Sequence, residues 1–455
     1  MAKKIESDLT KGHLFKQLLM VAVPLILTQL LSMLFHSTDT FVLGIFVGGD
    51  AVAAVGANSS LINLIIGVFV GIATGTSVVL AKAIGEHNQD KCQKVVAMSV
   101  VLGLVIGIAL MFVGIFCARY FLTLMKTDEK VIDMAVKYLQ VYFAGMPVMM
   151  LYQFCSAVMR AAGDTKRPLI YLAIGGVLNL VMNIFFITVV GLDVEGVAIA
   201  TVLSQGVATA LCVIALLKAE GLIKLSVKKI GFYREELLDI IRIGLPSGIQ
   251  SCCFNLANVL MQSAVNVFGN VAMAGSTYGG QIEGYVYYAM NGVAIGNMSV
   301  VSQNYGAKKM ERVKRTLINS VLLSLTLGFA LGMILYLLEP IILGWLTASD
   351  EFSTEIIEYA MLRSLIILPT YFLCGIMESF TYAARAIGKS FSSMVVSLVC
   401  VCALRIVWLE IILPIPQIYS FQNIFLCYPI SWIMTIVVMF IFWKISVNKI
   451  KLQTE

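Results

Sequence analysis

Twelve long apolar runs dominate this chain, and each is long enough to cross a bilayer as a helix. A membrane span needs about 20 apolar residues, and short segments rich in charge, glycine or proline separate the runs. Charged residues make up only 13% of the chain, about half the usual fraction in soluble proteins. The sequence therefore excludes a soluble multidomain fold and predicts an all-α polytopic membrane protein. The predicted spans are 17–44, 52–80, 95–117, 131–158, 168–190, 196–217, 240–267, 274–302, 316–338, 355–383, 391–413 and 424–445.

The distribution of lysine and arginine predicts the orientation of the spans, because basic residues accumulate in cytoplasmic loops. With the N-terminus inside, 26 of the 32 basic residues lie on the cytoplasmic side. Only Arg119, Lys126, Lys130 and Lys137 lie on the opposite side. We therefore expect both termini in the cytoplasm. The net charge of +6 then reflects topology and does not indicate a nucleic-acid partner.

The two halves of the chain resemble each other at an offset of 221–225 residues. The matching segments are AVP ending at Pro24 and GLP ending at Pro246, IGEHNQDK (84–91) and YGAKKMER (305–312), Pro147 and Pro369, and RAAG from Arg160 and RAIG from Arg385. Several matches at nearly one offset indicate a duplicated six-helix unit. An even number of spans returns the chain to its starting side, so the two units have the same orientation.

The repeat predicts two six-helix lobes related by a pseudo-two-fold axis along the membrane normal. The expected N-lobe is 1–217, a cytoplasmic linker is 218–239, and the C-lobe is 240–455. In transporters with parallel repeats, the substrate site lies near the bilayer midplane at the repeat interface.

Several segments resemble the multidrug and toxic compound extrusion (MATE) family of secondary transporters, which belongs to the multidrug/oligosaccharidyl-lipid/polysaccharide flippase superfamily. They are the proline-containing first span followed by STDTFVLG (37–44), RAAGDTKRP (160–168) leading into GGVLNLVMNIFFI (175–187), GVAIATVLSQ (196–205) and SQNYGAKKMERV (302–313). The resemblance covers essentially the whole chain. It implies a two-lobed secondary active exporter that moves amphipathic, often cationic compounds outward by alternating access, in antiport with H⁺ or Na⁺.

Asp39 is the strongest candidate for a coupling residue, because an ionisable group inside a span is costly. His36 lies three residues earlier on the same helix face, where the two side chains could share a hydrogen bond. Low dielectric penalises a charged carboxyl group unless a cation or donors compensate, so Asp39 can alternate between protonated and charged or cation-bound states. The alternative is a structural hydrogen bond to a neighbouring helix.

Asn179 and Asn183 share a face of the fifth span, and Thr201 lies at a similar depth in the sixth. Together with Asp39 they predict an oxygen cage suited to Na⁺ or to a proton. The family resemblance implies the same role, since corresponding positions in some members bind a cation. Some of those members carry a second aspartate where this chain has Asn183. The alternative is interhelical amide packing.

Glu283 is the main candidate in the second half, and it either pairs with Arg405 at a similar depth or contacts substrate. Tyr278, Tyr285, Tyr287 and Tyr288 surround it and could hold an amphipathic cation by cation–π contacts, or serve as interfacial anchors. Gln281 and Tyr285 beside it, together with Asn255 and Asn258 of the seventh span, are further candidate substrate contacts. Glu378 is expected to form a salt bridge with Arg385, the alternative being a contact with substrate.

No motif for catalysis or nucleotide binding is present, since the chain lacks H-E-x-x-H, G-x-x-x-x-G-K-[ST] and G-x-S-x-G. We expect no enzyme activity and no cofactor beyond the coupling ion. The expected function is multidrug export, the alternatives being a lipid-linked saccharide flippase and, less favoured, a channel or membrane-embedded enzyme. We expect a monomer in a bacterial inner membrane, with a small amphipathic molecule and the bilayer as its partners.

Overall fold

The computed structural model describes residues 7–125, 127–347 and 353–454. These ranges are almost entirely helical and contain no β-strand. Lys3, Lys4 and Lys126, which contribute to the charge argument, lie outside the described residues. The helices are α1 (Leu14–Phe46), α2 (Gly49–Gly85), α3 (Gln89–Leu124), α4 (Ile132–Ala144), α5 (Met146–Ala161), α6 (Lys166–Thr188), α7 (Val194–Leu217), α8 (Arg234–Asn266), α9 (Asn270–Gly306), α10 (Met310–Leu346), α11 (Ser353–Ala386), α12 (Ser390–Ser397), α13 (Leu404–Val407), α14 (Phe421–Ile424) and α15 (Cys427–Thr454).

Ten helical stretches within the described ranges are long and apolar enough to cross a membrane, and the bent pair α4 and α5 makes an eleventh. Each predicted span coincides with a helix, a bent pair or a continuous helical stretch. The predicted span 274–302 lies in α9, which is not among these eleven although it has 37 residues. Its buried face carries serine and amide side chains such as Asn297 and Gln303. These polar groups explain why α9 is less apolar than the other spans. The expectation of an all-α polytopic membrane protein is confirmed.

The fourth predicted span, 131–158, is not one straight helix. The chain bends by 50° where α4 ends and α5 begins, at Gly145. A Cβ at Gly145 would collide with the side chain of Val202 on α7, so glycine permits this close packing. Pro147 lies in the first turn of α5, where its missing N–H is tolerated. Local sequence therefore explains the break.

Backbone geometry repeats at the same spacing as the sequence. Positive φ angles recur in three pairs: His87 (54°) and Lys308 (58°), Gly48 (117°) and Gly269 (95°), and Gly163 (78°) and Gly388 (80°). The first two pairs are 221 residues apart and the third is 225 apart. Positive φ is uncommon outside glycine, so the match of His87 with Lys308 is specific. Helix lengths agree as well, because α1 and α8 each have 33 residues and α2 and α9 each have 37. The duplicated unit is therefore visible in the backbone.

Two compact units divide the chain. Unit 1 comprises Leu27–Gly248 with the described residues up to Leu9, and unit 2 comprises Thr10–Ile26 with the described residues from Ile249 onward. The division falls within α1 and α8, two residues after Pro24 and Pro246. These units are defined by contacts between residues, whereas the predicted lobes are defined by the internal repeat. The borders of the lobes therefore stay a prediction.

Small residues bring the helices together within each unit. In unit 1, Gly71 of α2 faces the backbone of Gly248 on α8 with no room for a Cβ. In unit 2, the hydroxyl of Ser379 on α11 lies 2.9 Å from that of Ser320 and 3.2 Å from that of Ser324, both on α10. Close approach and interhelical hydrogen bonds of this kind are typical of membrane helix packing.

Candidate functional site

Asp39 lies in the C-terminal part of α1, where side chains from α6 and α7 reach it. The amide Nδ2 of Asn183 donates a hydrogen bond to Asp39 Oδ1 at 2.6 Å and lies 3.3 Å from Asn179 Oδ1. Asn179 Nδ2 donates in turn to Thr201 Oγ1 at 3.2 Å. The spacing of four residues places both amides on one face of α6. The structure therefore brings four of the five predicted coupling residues together in one hydrogen-bonded chain, which we call the Asp39 cluster.

The Asp39 cluster is buried and contains no basic residue. Asp39 is 9% exposed and Asn183 is fully buried. Among the described residues, no lysine, arginine or histidine forms an ion pair with Asp39. Asn183 Oδ1 is buried and has no hydrogen-bond partner. A cavity of about 70 Å³ is lined by Asp39, Asn179 and Thr201, which is room enough for a water molecule or a small ion.

Two adjacent glycines on α6 allow the neighbouring helices to approach the cluster. A Cβ on Gly176 would fall inside the ring of Phe35 on α1, and a Cβ on Gly175 would lie 3.2 Å from the carbonyl oxygen of Ser204 on α7. Both glycines are buried. The pair therefore sets the separation of α1, α6 and α7 at the level of the cluster.

His36 lines the same cavity as Asp39, but the expected hydrogen bond between them is absent from the described contacts. The carboxyl group of Asp39 is instead engaged by Asn183 on α6. The backbone carbonyl of His36 accepts a hydrogen bond from Thr40 Oγ1 at 3.2 Å. His36 therefore lines the cavity without joining the hydrogen-bonded cluster.

A larger cavity of about 440 Å³ lies within unit 2, and a buried ion pair forms part of its wall. Arg363 Nε donates to Glu283 Oε1 and Arg363 NH2 donates to Glu283 Oε2, both at 2.8 Å. Arg363 NH1 also donates to Ser276 Oγ at 2.8 Å. This bidentate geometry fixes the Arg363 guanidinium against the Glu283 carboxylate. The proposed pairing of Glu283 with Arg405 is therefore wrong, because α11 packs directly on α9 and presents Arg363 to Glu283.

Arg405 lines the same cavity but has a different environment. Its NH1 donates to Asn258 Oδ1 at 3.0 Å, and its guanidinium carbon lies 4.1 Å from the ring centroid of Tyr428. The side chain is 6% exposed, and its Nε is buried with no hydrogen-bond partner. Within the described ranges it forms no ion pair. Unlike Arg363, it is a buried cation held only by neutral groups.

Glu378 also lines the unit 2 cavity, and its expected salt bridge with Arg385 is not present. Glu378 Oε2 accepts a hydrogen bond from Asn291 Nδ2 at 3.0 Å. Arg385 NH2 donates to Gln250 Oε1 at 2.7 Å, and its guanidinium lies over the Tyr382 ring at 4.5 Å. The expectation is wrong because neutral partners on α8 and α9 are closer than the charged residue on the same helix.

The predicted substrate contacts divide into two groups. Asn255 and Asn258 line the unit 2 cavity, whereas Gln281 and Tyr285 do not. Residues 281 and 285 share one face of α9, and a helix turns by about 200° over the two residues from 281 to 283. Glu283, the remaining predicted substrate contact, does line the cavity, as do Tyr287 and Tyr288.

Glu339 on α10 is a buried acid that the sequence prediction did not include. Its side chain is fully buried, and Ser364 Oγ donates to Glu339 Oε1 at 2.7 Å. The second oxygen, Oε2, is buried and has no hydrogen-bond partner. The predicted ninth span stops at residue 338, one residue before this acid. The apolar residues that follow Pro340 were the signal for extending the span.

Comparisons with known proteins agree with this architecture. The MatE family model matches residues 24–185 and 246–409, one segment in each half of the repeat. The chain is 28% identical to the "Probable multidrug resistance protein YpnP" of Bacillus subtilis, over 67% of this chain and 68% of that protein. It is 26% identical to the "Probable multidrug resistance protein YoeA" of the same organism, over 87% and 86%. A solved structure of a MOP superfamily transporter from Pyrococcus furiosus matches with a TM-score of 0.91 at 20% identity, over 99% of both chains.

The apolar helices, the MatE family match and the relatives described as multidrug resistance proteins identify a multi-pass membrane transporter for small molecules. The two matched segments cover most of the chain and coincide with its internal repeat. The chain therefore belongs to the MatE family.

Proposed function

We propose that this protein is a secondary active multidrug exporter, which moves amphipathic compounds outward in exchange for H⁺ or Na⁺ by alternating access. The named relatives YpnP and YoeA are described as multidrug resistance proteins, which supports the substrate class. We place both termini in the cytoplasm and the chain in a bacterial inner membrane as a monomer, without a nucleic-acid partner. The lipid-linked saccharide flippase is not favoured, because the named relatives point to drug export.

The observation that carries the coupling proposal is a buried acid without a basic partner. Asp39 contacts the neutral amide of Asn183 and forms no ion pair among the described residues. An uncompensated charge in a membrane interior is costly. A proton or a monovalent cation removes that cost, so occupation of Asp39 is linked to a gradient of that ion across the membrane.

The neighbouring oxygens suit either ion. Asn179 Oδ1, Thr201 Oγ1 and the unpartnered Asn183 Oδ1 lie in the same cluster as the carboxyl group. Amide and hydroxyl oxygens are hard ligands, and they also accept hydrogen bonds from a protonated acid. Cation binding from outside neutralises Asp39 and favours the conformation that releases the compound.

Proteoliposomes with separately imposed gradients test this proposal. We expect ethidium transport against its concentration gradient when ΔpH or ΔNa⁺ is applied, and the effective gradient identifies the coupling ion. Asp39→Asn should abolish this uphill transport, while Asp133→Asn, which changes an exposed acid paired with Arg119, should leave it intact. Circular dichroism and gel filtration confirm that both variants fold. Unchanged ethidium extrusion by Asp39→Asn would contradict the coupling role.

A further inference from the structure

We propose that the unit 2 cavity binds the anionic group of an aromatic, amphipathic compound at the guanidinium of Arg405. The inference rests on the proposed function only in assuming that this compound is one that the transporter carries. It concerns the chemistry of the ligand and does not depend on the coupling ion. A carboxylate, sulfonate or phosphate group could fill the position.

The first argument is the unsatisfied state of Arg405. The residue is 6% exposed, and the described residues supply only the Asn258 carbonyl oxygen and the face of Tyr428. Its Nε has a hydrogen to donate and no acceptor within reach. A buried cation without an anion is strongly unfavourable, and an anionic ligand that reaches Nε would supply both the charge and the missing hydrogen bond.

Second, no acid that lines the cavity forms an ion pair with Arg405. Both oxygens of Glu283 accept hydrogen bonds from Arg363. Glu378 accepts from Asn291. Glu283 and Glu378 are the two acids that line the cavity. Arg363 and Arg405 are the two arginines that line it. Since one arginine already has its carboxylate and the other does not, the cavity has one site that favours an anion.

The third argument concerns the size and the walls of the cavity. Its volume of about 440 Å³ lies within the range of small-molecule sites. The ring of Trp432 packs against Tyr428, the residue that contacts Arg405, with ring centroids 5.8 Å apart. It also packs against Tyr371, with ring centroids 5.3 Å apart. All three rings line the cavity. An aromatic ligand can pack against these rings while its anionic group reaches Arg405.

The local backbone supports a functional role for this position. Arg405 lies in α13, a single helical turn between two π-helical segments, Leu398–Ala403 and Trp408–Ile412. π-Helical turns are rare and occur frequently at functional sites. The irregular backbone therefore coincides with the unpaired cation.

Two dyes with one aromatic skeleton test the proposal on the full-length protein in nanodiscs, without any ion gradient. 1-Anilinonaphthalene-8-sulfonate carries a sulfonate, and N-phenyl-1-naphthylamine lacks it. Fluorescence above that of protein-free nanodiscs measures binding of each dye. We expect wild type to bind the sulfonate dye at least tenfold more tightly than the neutral dye. Because no gradient is present, a lack of selective dye binding does not contradict the export proposal. Conversely, a lack of ion-coupled export does not contradict selective binding of the sulfonate dye.

Three substitutions assign the effect to Arg405. Arg405→Gln should weaken the sulfonate dye at least tenfold and change the neutral dye less than twofold. Asn258→Asp is nearly isosteric and places a carboxylate on Arg405 NH1, so it should weaken the sulfonate dye to a similar extent without loss of folding. Asn266→Asp adds the same charge at an exposed position of α8 outside the cavity lining, and we expect an effect below threefold.

Three results would overturn the proposal. The first is unchanged sulfonate-dye binding in Arg405→Gln and Asn258→Asp. The second is an equal loss for both dyes in both variants, which would indicate a general loss of packing. The third is displacement of the sulfonate dye by dihexanoyl phosphatidylglycerol at an equal or lower concentration, which would make this a lipid headgroup site.

Discussion

The Asp39 cluster of unit 1 and the Glu283–Arg363 pair of unit 2 both bury a carboxyl group, but only Glu283 has a basic partner. Asp39 contacts the neutral amide of Asn183, whereas Glu283 receives two hydrogen bonds from a guanidinium. A paired acid is satisfied in its charged state. An unpaired acid becomes neutral only by binding a proton or a cation. The comparison supports the proposal that unit 1 exchanges an ion, and it indicates that the pair in unit 2 is structural.

The largest expected effect is the loss of the arginine from the structural pair. Arg363→Met should lower the free energy of unfolding by about 3–5 kcal/mol, because it leaves Glu283 buried without its cation. Denaturation in mixed micelles measures this change. The double variant Glu283→Gln with Arg363→Met should recover most of the loss. A single variant as stable as wild type would show that the pair is not structural.

A smaller effect is expected when Asp39 loses its hydrogen-bond donor. Asn183→Leu removes the hydrogen bond that Asn183 donates to the Asp39 carboxylate. A hydrogen bond to a charged group contributes about 1.5–3 kcal/mol, which corresponds to a change of at least tenfold in ion affinity. The direction depends on the ion, because a proton would bind more tightly to the less stabilised carboxylate, whereas Na⁺ would lose a ligand. The ion concentration at half-maximal export measures it. Val181→Leu, at an exposed position of the same helix, should cause no shift, and an equal shift there would contradict the assignment.

Glu339 provides an intermediate case, since its described hydrogen bond comes from a hydroxyl. Ser364→Ala should lower the free energy of unfolding by about 1–3 kcal/mol, because it leaves a buried acceptor without its donor. Thermal unfolding in detergent measures the change. Thr326→Ala removes an exposed hydroxyl that bonds only to its own helix, and should cost less than about 0.5 kcal/mol. Equal effects of the two changes would show that the contact with Glu339 contributes nothing.

The smallest effect is expected at the two α9 residues that do not line the unit 2 cavity. Gln281→Ala and Tyr285→Ala should change the affinity for 1-anilinonaphthalene-8-sulfonate less than twofold, whereas Tyr288→Ala should weaken it several-fold, because Tyr288 lines the cavity. Dye fluorescence with protein in nanodiscs measures all three. A stronger effect at Tyr285 than at Tyr288 would place the ligand elsewhere.

Sequence reasoning succeeded where local pattern was sufficient. Asn179 and Asn183 share a helix face whatever the surroundings, and their depth matches that of Asp39, but only helix packing brings the first and fifth spans together. The same reasoning failed for Glu283, because Arg363 and Arg405 lie at comparable depths and depth alone does not identify a neighbour. Only the packing of α11 on α9 selects Arg363.

The amino-acid order alone was enough for the apolar spans, the duplicated unit and the intramembrane acids, because these follow from hydropathy, repetition and the cost of charge in lipid. Helix contacts decided the partners: Asn183 for Asp39, Arg363 for Glu283 and Asn258 for Arg405. Side chains from distant parts of the chain form hydrogen bonds only within a few ångströms. Hydropathy sets the depth of a residue in the membrane but not the direction of its helix face, which emerges only when the helices pack.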